Sequence, residues 1–205
     1  MLVIEKKLLL HFISFNIIHI DKTKVFTILE CTILLESYQN AEVDKVMIEH
    51  PIAPIYDEHS KILILGSFPS VKSREEGFFY GHPQNRFWKV LAAVYQAQIP
   101  KTIEEKKAFL LQNQVAVWDV IQSCDIVGSS DSSIKNVVPN DLHQILQKAS
   151  IEKIFVNGKK AMQLYEKYIE PDIGKEAVCL PSTSPANAAW KLERLVEVWE
   201  RQIKG

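Results

Sequence analysis

What this chain lacks narrows the field before any motif is read. Its 205 residues carry a formal net charge of −1, with 24 Lys and Arg against 25 Asp and Glu. No bulk basicity announces nucleic acid, which excludes a tight, non-specific coat that neutralises many phosphates. A compact enzyme holding a few phosphates with backbone N–H groups and helix N-termini stays open. Cysteine is scarce: Cys31, Cys124 and Cys179 have no close paired spacing. They form no zinc ligand set and are too few for an iron–sulfur cluster, so they read as free thiols in a reducing cytosol. Neither a metal nor any other cofactor is expected. There is no internal repeat and no low-complexity segment. Hydrophobic content of 47% and charged content of 24% describe a soluble, globular chain. It is expected to be cytoplasmic and monomeric.

The first 46 residues differ in character from the rest. Leu8 to Ile20 is apolar and β-branched apart from His11 and His19, and Val25 to Leu35 is a second such run. Lys6 and Lys7 imitate a signal peptide, but Asp21-Lys-Thr-Lys24 follows instead of a small-residue cleavage site. The run also falls short of the ~20 residues needed to span a bilayer, so no membrane partner is expected. Three readings of the 1–46 extension stay open: a genuine β-rich extension, an uncleaved membrane-associating segment, or upstream sequence translated from a wrongly chosen start codon, which Met47, a natural start for a domain over 47–205, favours.

From residue 61 onward, apolar runs and helical patterns alternate. Strands are expected at Lys61–Leu65, Val115–Trp118, Lys153–Val156 and Ala177–Leu180. Helices are expected from Asn85 to Tyr95, from Thr102 to Leu111 behind a Thr-x-x-Glu capping box, from a cap at Asn140, from Gly158, and from about Ala189. Asp125 to Asn140, rich in Gly, Ser and Asp, reads as a loop. Strands apolar throughout, alternating with helices, imply an α/β fold: three layers, α/β/α, around a central, mainly parallel four-stranded sheet. Ligands in such folds bind beyond the carboxyl ends of the strands. Each unusual loop follows a strand, at 67–85, 119–137, 157–158 and 181–188, so the loops should converge on one rim.

Tyr80-Gly-His-Pro-Gln-Asn-Arg-Phe-Trp88 is the most informative stretch. It delivers an aromatic ring, a histidine, an amide and an arginine at the start of a helix, a set suited to a flat ring on a phosphate backbone. Asn85 can hold a water in line with an electrophilic carbon, its carbonyl accepting from that water; the alternative is a helix cap. Tyr80 can stack on a base. His82 can donate to a carbonyl oxygen or a leaving ring nitrogen, or serve the loop's structure. Arg86 and Lys89 suit phosphate contacts or solvated helix charges. Asp119, directly after a strand, can read a base edge, as an ionised carboxylate that only accepts, or cap a turn, and Asn157, too, is open to reading or capping. The loops Ser67–Ser73 and Ser182–Asn187 offer hydroxyls and free N–H groups to phosphate oxygens.

Gly66-Ser-Phe-Pro-Ser70 with the 80–88 run resembles the first motif region of the uracil-DNA glycosylase superfamily, and most closely its hypoxanthine-DNA (deoxyinosine) glycosylase branch. Leu180-Pro-Ser-Thr-Ser-Pro-Ala-Asn187 resembles the second motif, which enters the minor groove. Val117-Trp-Asp-Val-Ile-Gln-Ser-Cys124, with Ser129-Ser-Asp-Ser-Ser133, is similar to that branch's middle segment. Phe68 stands where most of the superfamily has a water-handling Asp or Asn, and Ser184 where the second motif commonly has His or Asn. Both departures match the hypoxanthine branch, in which the asparagine of the His-Pro-Gln-Asn run takes over catalysis. The resemblance therefore implies a monofunctional DNA glycosylase that removes hypoxanthine by water attack at C1′. DNA with deaminated bases is its partner, and Asn85 and His82 are catalytic. Tyr80, Phe68, Asp119 and Asn157 would contact the base. Ser67, Ser70, Arg86, Ser182 and Ser184 would hold the backbone, and Ala186 or Asn187 would fill the vacated stack. A uracil-specific mismatch enzyme and a non-catalytic phosphate-binding protein are the alternatives.

Overall fold

In the computed structural model, which describes residues 47–205, the four apolar runs pair as one parallel sheet. In chain order the strands are β1 (Ile48–Glu49), β2 (Ile62–Gly66), β3 (Val115–Asp119), β4 (Ile121–Asp125), β5 (Lys135–Pro139), β6 (Lys153–Asn157) and β7 (Val178–Leu180). The helices are α1 (Val71–Glu76), α2 (Phe87–Val94), α3 (Ile103–Gln112), α4 (His143–Leu146), α5 (Lys159–Tyr168), α6 (Glu170–Ile173) and α7 (Leu192–Lys204). The main sheet runs β3-β2-β6-β7, every pair parallel. Strands β2 and β3 are buried along nearly their whole length and β6 at its centre, because helices cover the sheet: α3 packs on β3, α5 on β6 and β7, and α7 on α2 and β7. This is the expected three-layer α/β/α fold. The suggestion about residues 1–46 lies outside the described residues.

Local chemistry explains the element boundaries. The capping box before α3 is complete: Thr102 Oγ1 accepts from the Glu105 N–H at 3.1 Å, and Glu105 Oε2 from the Thr102 N–H at 3.2 Å. In α7 the apolar stripe Leu195, Trp199 and Ile203 is buried. The Trp199 indole N–H reaches the Pro181 carbonyl at 2.9 Å, which ties this helix to the loop after β7.

Three local expectations are corrected. The segment read as a loop from Asp125 to Asn140 contains β5, which pairs with β4 and, through it, with β1 in a second, antiparallel sheet. That pairing is interrupted by irregular register between Ile121 and Asp125, and β5 is largely exposed, so no clean apolar alternation marks it. The loop Ser67–Ser73 contains the start of α1, a single short turn capped by Ser70 and ended by Gly77 at φ 64°. Asn140 does not cap α4. It is buried and its Nδ2 donates to the Asp119 carbonyl at 2.9 Å.

Candidate active site

The carboxyl ends of all four parallel strands open on one cavity of about 330 Å³, at the small end of ligand pockets. Gly66 to Ser70 follow β2, Asp119 ends β3, Asn157 ends β6, and Ser182, Ser184, Pro185 and Ala186 follow β7. Tyr80, His82 and Asn85 enter from the segment between α1 and α2, and Ser129 and Asp131 from the β4–β5 connection. Every residue singled out in the sequence lines this cavity except Arg86, Asn187 and Lys89.

Tyr80 has a left-handed backbone at φ 54°, a costly conformation for a bulky residue and one that concentrates at functional sites. Its ring stacks on Phe87, centroids 3.7 Å apart and planes inclined by 16°. The hydroxyl is buried without a hydrogen-bond partner. Burial first, and then the negative charge of Asp119, push its pKa up. Phe68 is buried and meets His50 edge to face, with the Arg74 guanidinium 5.4 Å from its ring centroid.

The Asp119 carboxyl packs across the end of β2. A Cβ on Gly66 would sit 2.2 Å from Asp119 Oδ1, so only glycine leaves room for it. Oδ2 is buried with no partner. Burial, followed by the charge of Asp131, raises the carboxyl pKa from 3.8 to about 7. The acid form is therefore populated at neutral pH, whereas the sequence led us to treat Asp119 as an ionised, acceptor-only group.

Asn85 departs from expectation in a second way. Its Oδ1 accepts from the Phe87 N–H at 3.0 Å and from the Thr183 hydroxyl at 2.9 Å. Both lone pairs are taken, so the oxygen is not free for a water; the helix start needs it. The side chain presents its NH2 group instead, which has no protein partner among the described residues. The His82 ring has a fixed tautomer when neutral: Nδ1 accepts from the Gln84 N–H at 3.2 Å, which leaves the proton on Nε2.

Arg86 is not a free phosphate contact. Its Nε donates to the Thr183 carbonyl at 3.2 Å and its Nη2 to those of Ser184 at 2.6 Å and Asn187 at 3.1 Å, while Nη1 donates to that of Trp190. The guanidinium staples the loop after β7, about a hundred residues away in sequence. Asn187 belongs to the same scaffold, its Nδ2 donating to the Ser182 carbonyl at 2.8 Å. Ser182 Oγ and Ser184 Oγ each accept a loop N–H, from Ser184 and Ala186, both at 3.2 Å. Their own protons stay available for an anion. Ser67 spends its proton on Asp131 Oδ1 at 2.9 Å, and Ser70 caps α1 through the Ser73 N–H at 3.2 Å. The close approach of β6 and the loop explains Gly158, at φ 105° and with a would-be Cβ 2.8 Å from that of Ser182.

The profile of the Uracil DNA glycosylase superfamily matches residues 53–202. The chain belongs to the uracil DNA glycosylase superfamily. A relative in Methanosarcina acetivorans, named hypoxanthine DNA glycosylase, is 34% identical over 156 residues, 75% of this chain and 97% of the relative. One of the same name in Methanosarcina barkeri is 32% identical over 136 residues, 65% of this chain and 85% of the relative. A solution NMR structure of a Methanosarcina acetivorans protein, described as a candidate uracil DNA glycosylase, superposes with a TM-score of 0.65 at 32% identity. It covers 76% of this chain, which covers 96% of it.

In this glycosylase fold three residues that the sequence did not single out build the site, and Thr183 among them joins the first and second motifs. Ser73 is buried and its Oγ accepts the Gly81 N–H at 3.0 Å, which fixes the turn behind Tyr80. Asp131 lines the same cavity as Asp119, and its charge helps to raise the Asp119 pKa. Thr183, fully buried, joins Asn85 to Asn157. One threonine among serines gives no pattern that would have marked it. Among the described residues no three His, Cys, Asp or Glu side chains gather as a metal site, and no helix is long and apolar enough to cross a membrane.

Proposed function

We propose that this protein is a monofunctional DNA glycosylase that excises hypoxanthine, the deamination product of adenine, by attack of water at C1′. The observation that carries the reading is one base-sized cavity lined by Tyr80, His82, Asn85 and Asp119. The names of the Methanosarcina relatives support hypoxanthine as the base. Stacked bases are out of reach, so the nucleotide rotates out at a cost of a few kcal/mol, lower in a mispair. Phe87 occupies one face of Tyr80, and the other receives the extruded base. Asp119 meets the base edge: its ionised form, present beside the acid form at neutral pH, accepts from N1–H, a donor adenine lacks at that ring position.

The C1′–N9 bond then breaks with its electron pair going to the base, and the sugar becomes oxocarbenium-like. His82 Nε2–H donates toward the charge that develops on the base. Such a cation is captured by weak nucleophiles, so a water needs position more than activation. Asn85 supplies it by donating an amide N–H to one lone pair, leaving the other to attack C1′. The water loses a proton as the bond forms, and the base takes one up. Ser182, Ser184 and the loop backbone hold phosphates. No lysine is among the residues lining the cavity, which fits hydrolysis without a strand-cleaving step.

The test is a set of duplexes, each with one hypoxanthine, uracil or xanthine, incubated with excess enzyme and then treated with alkali. Hypoxanthine strands should become alkali-labile fastest. Faster cleavage at uracil would assign the chain to mismatch uracil repair, and no cleavage at any base would leave a binding protein.

A further inference from the structure

Every polar atom of Thr183 is engaged by a motif residue. Its N–H donates to Asn157 Oδ1 at 2.9 Å, its hydroxyl accepts from Asn157 Nδ2 at 2.9 Å, and its carbonyl accepts from the Arg86 N–H at 3.1 Å and from Arg86 Nε. The hydroxyl proton goes to Asn85 Oδ1 at 2.9 Å. The directions in this chain follow from two backbone groups. The Thr183 N–H can only donate, so the Asn157 atom facing it is oxygen and the other, facing the hydroxyl, is the NH2. The Phe87 N–H can only donate, so the Asn85 atom facing it is oxygen as well. A hydroxyl that accepts from Asn157 and has one proton must give that proton to Asn85.

We infer that Thr183 is a positioning residue, whose buried hydroxyl locks the Asn85 amide with its oxygen toward the protein and its NH2 toward the cavity. Without that second bond the amide is held by the Phe87 N–H alone and can swing about it. Asn157 then acts on Asn85 through Thr183, which it holds by two bonds. The arrangement also couples the two motifs, since the loop carrying Thr183 is the one that Arg86 staples. The inference rests on the role proposed above for Asn85.

The experiment compares Thr183→Val, Thr183→Ala and Thr183→Ser with wild type in single turnover at saturating enzyme, on whichever of the hypoxanthine, uracil and xanthine duplexes wild type cleaves. Binding is measured separately on a duplex carrying a tetrahydrofuran abasic analogue, which needs no base. Loss of alignment of order 1 Å costs up to about 100-fold. Thr183→Val should slow base excision by about 10- to 100-fold, with the abasic-duplex Kd within about twofold of wild type. Thr183→Ser, which keeps the hydroxyl, should stay within about threefold in rate. Thr183→Ala gives the same loss as Val if Val is not accommodated. A wild-type rate in either hydroxyl-free variant overturns the inference. So does a Ser variant as slow as Val, or a defect seen in Kd alone. If neither hydroxyl-free variant folds while Ser does, the hydroxyl is structural and the inference also falls. Failure of wild type on hypoxanthine with activity on uracil would instead overturn the substrate reading and leave this one standing.

Discussion

Replacing Asp119 by Asn removes a buried carboxyl that the fold must keep half-neutral, and the consequence is readable without any substrate. Its pKa rises from 3.8 to about 7 on folding, chiefly through burial. Between those two values the native state holds a proton that the unfolded chain has released. Stability therefore falls as pH rises through this window and levels off above about 7. At about 1.4 kcal/mol per pH unit, the full effect is on the order of 4 kcal/mol. In a chain of this size that corresponds to roughly 10 °C in Tm. The comparison is the Tm of wild type minus that of Asp119→Asn, measured from pH 4 to pH 9. The difference cancels groups common to both proteins, and it should move in favour of the variant up to pH 7 and then stay flat. Parallel curves for the two proteins would refute the reasoning, because they would mean that Asp119 is solvated and titrates normally.

Asn85→Ala should lower single-turnover excision by at least ~100-fold, the scale of a lost positioned water. Because Asn85 Oδ1 also serves the start of α2, it should cost ~1 kcal/mol in urea unfolding as well; an unaltered rate would reduce Asn85 to a cap. Gly66→Ala drives a methyl into Asp119 Oδ1, which should destabilise by ~1–3 kcal/mol and cut excision, both read on the same preparation. A variant with wild-type melting would show that the β2–β3 end has slack. Arg86→Ala removes the donor to four carbonyls of residues 183–190, so limited proteolysis should cut this loop faster than in wild type. Equal cutting rates would show that the loop holds its shape without the guanidinium.

The parallel sheet was legible because its strands are uniformly apolar and its helices carry strong start signals, as at Thr102 and Glu105. The cavity was legible because sheet topology brings strand ends together, so a motif after each strand had to meet the others. What the sequence hid depends on burial and long-range direction. Arg86 looks like a phosphate ligand, but its acceptors are carbonyls of a loop about a hundred residues away. Asp119 looks like an ionised acceptor, and only its placement behind Gly66 shows why the proton is retained. The Asn85 question, cap or water holder, dissolved once both atoms of the amide were placed. Its oxygen serves the helix start, and its nitrogen is the group that the proposed mechanism uses. The β4–β5 pair escaped notice because its ladder is irregular and its outer strand exposed.

The central claim, hydrolytic release of an intact base, is tested most directly by chromatography of the reaction on a duplex with one hypoxanthine. The account predicts free hypoxanthine in a one-to-one ratio with abasic sites, on a strand that stays whole until alkali is added. Strand scission without alkali, or loss of the lesion as a nucleoside or nucleotide instead of the free base, would contradict it.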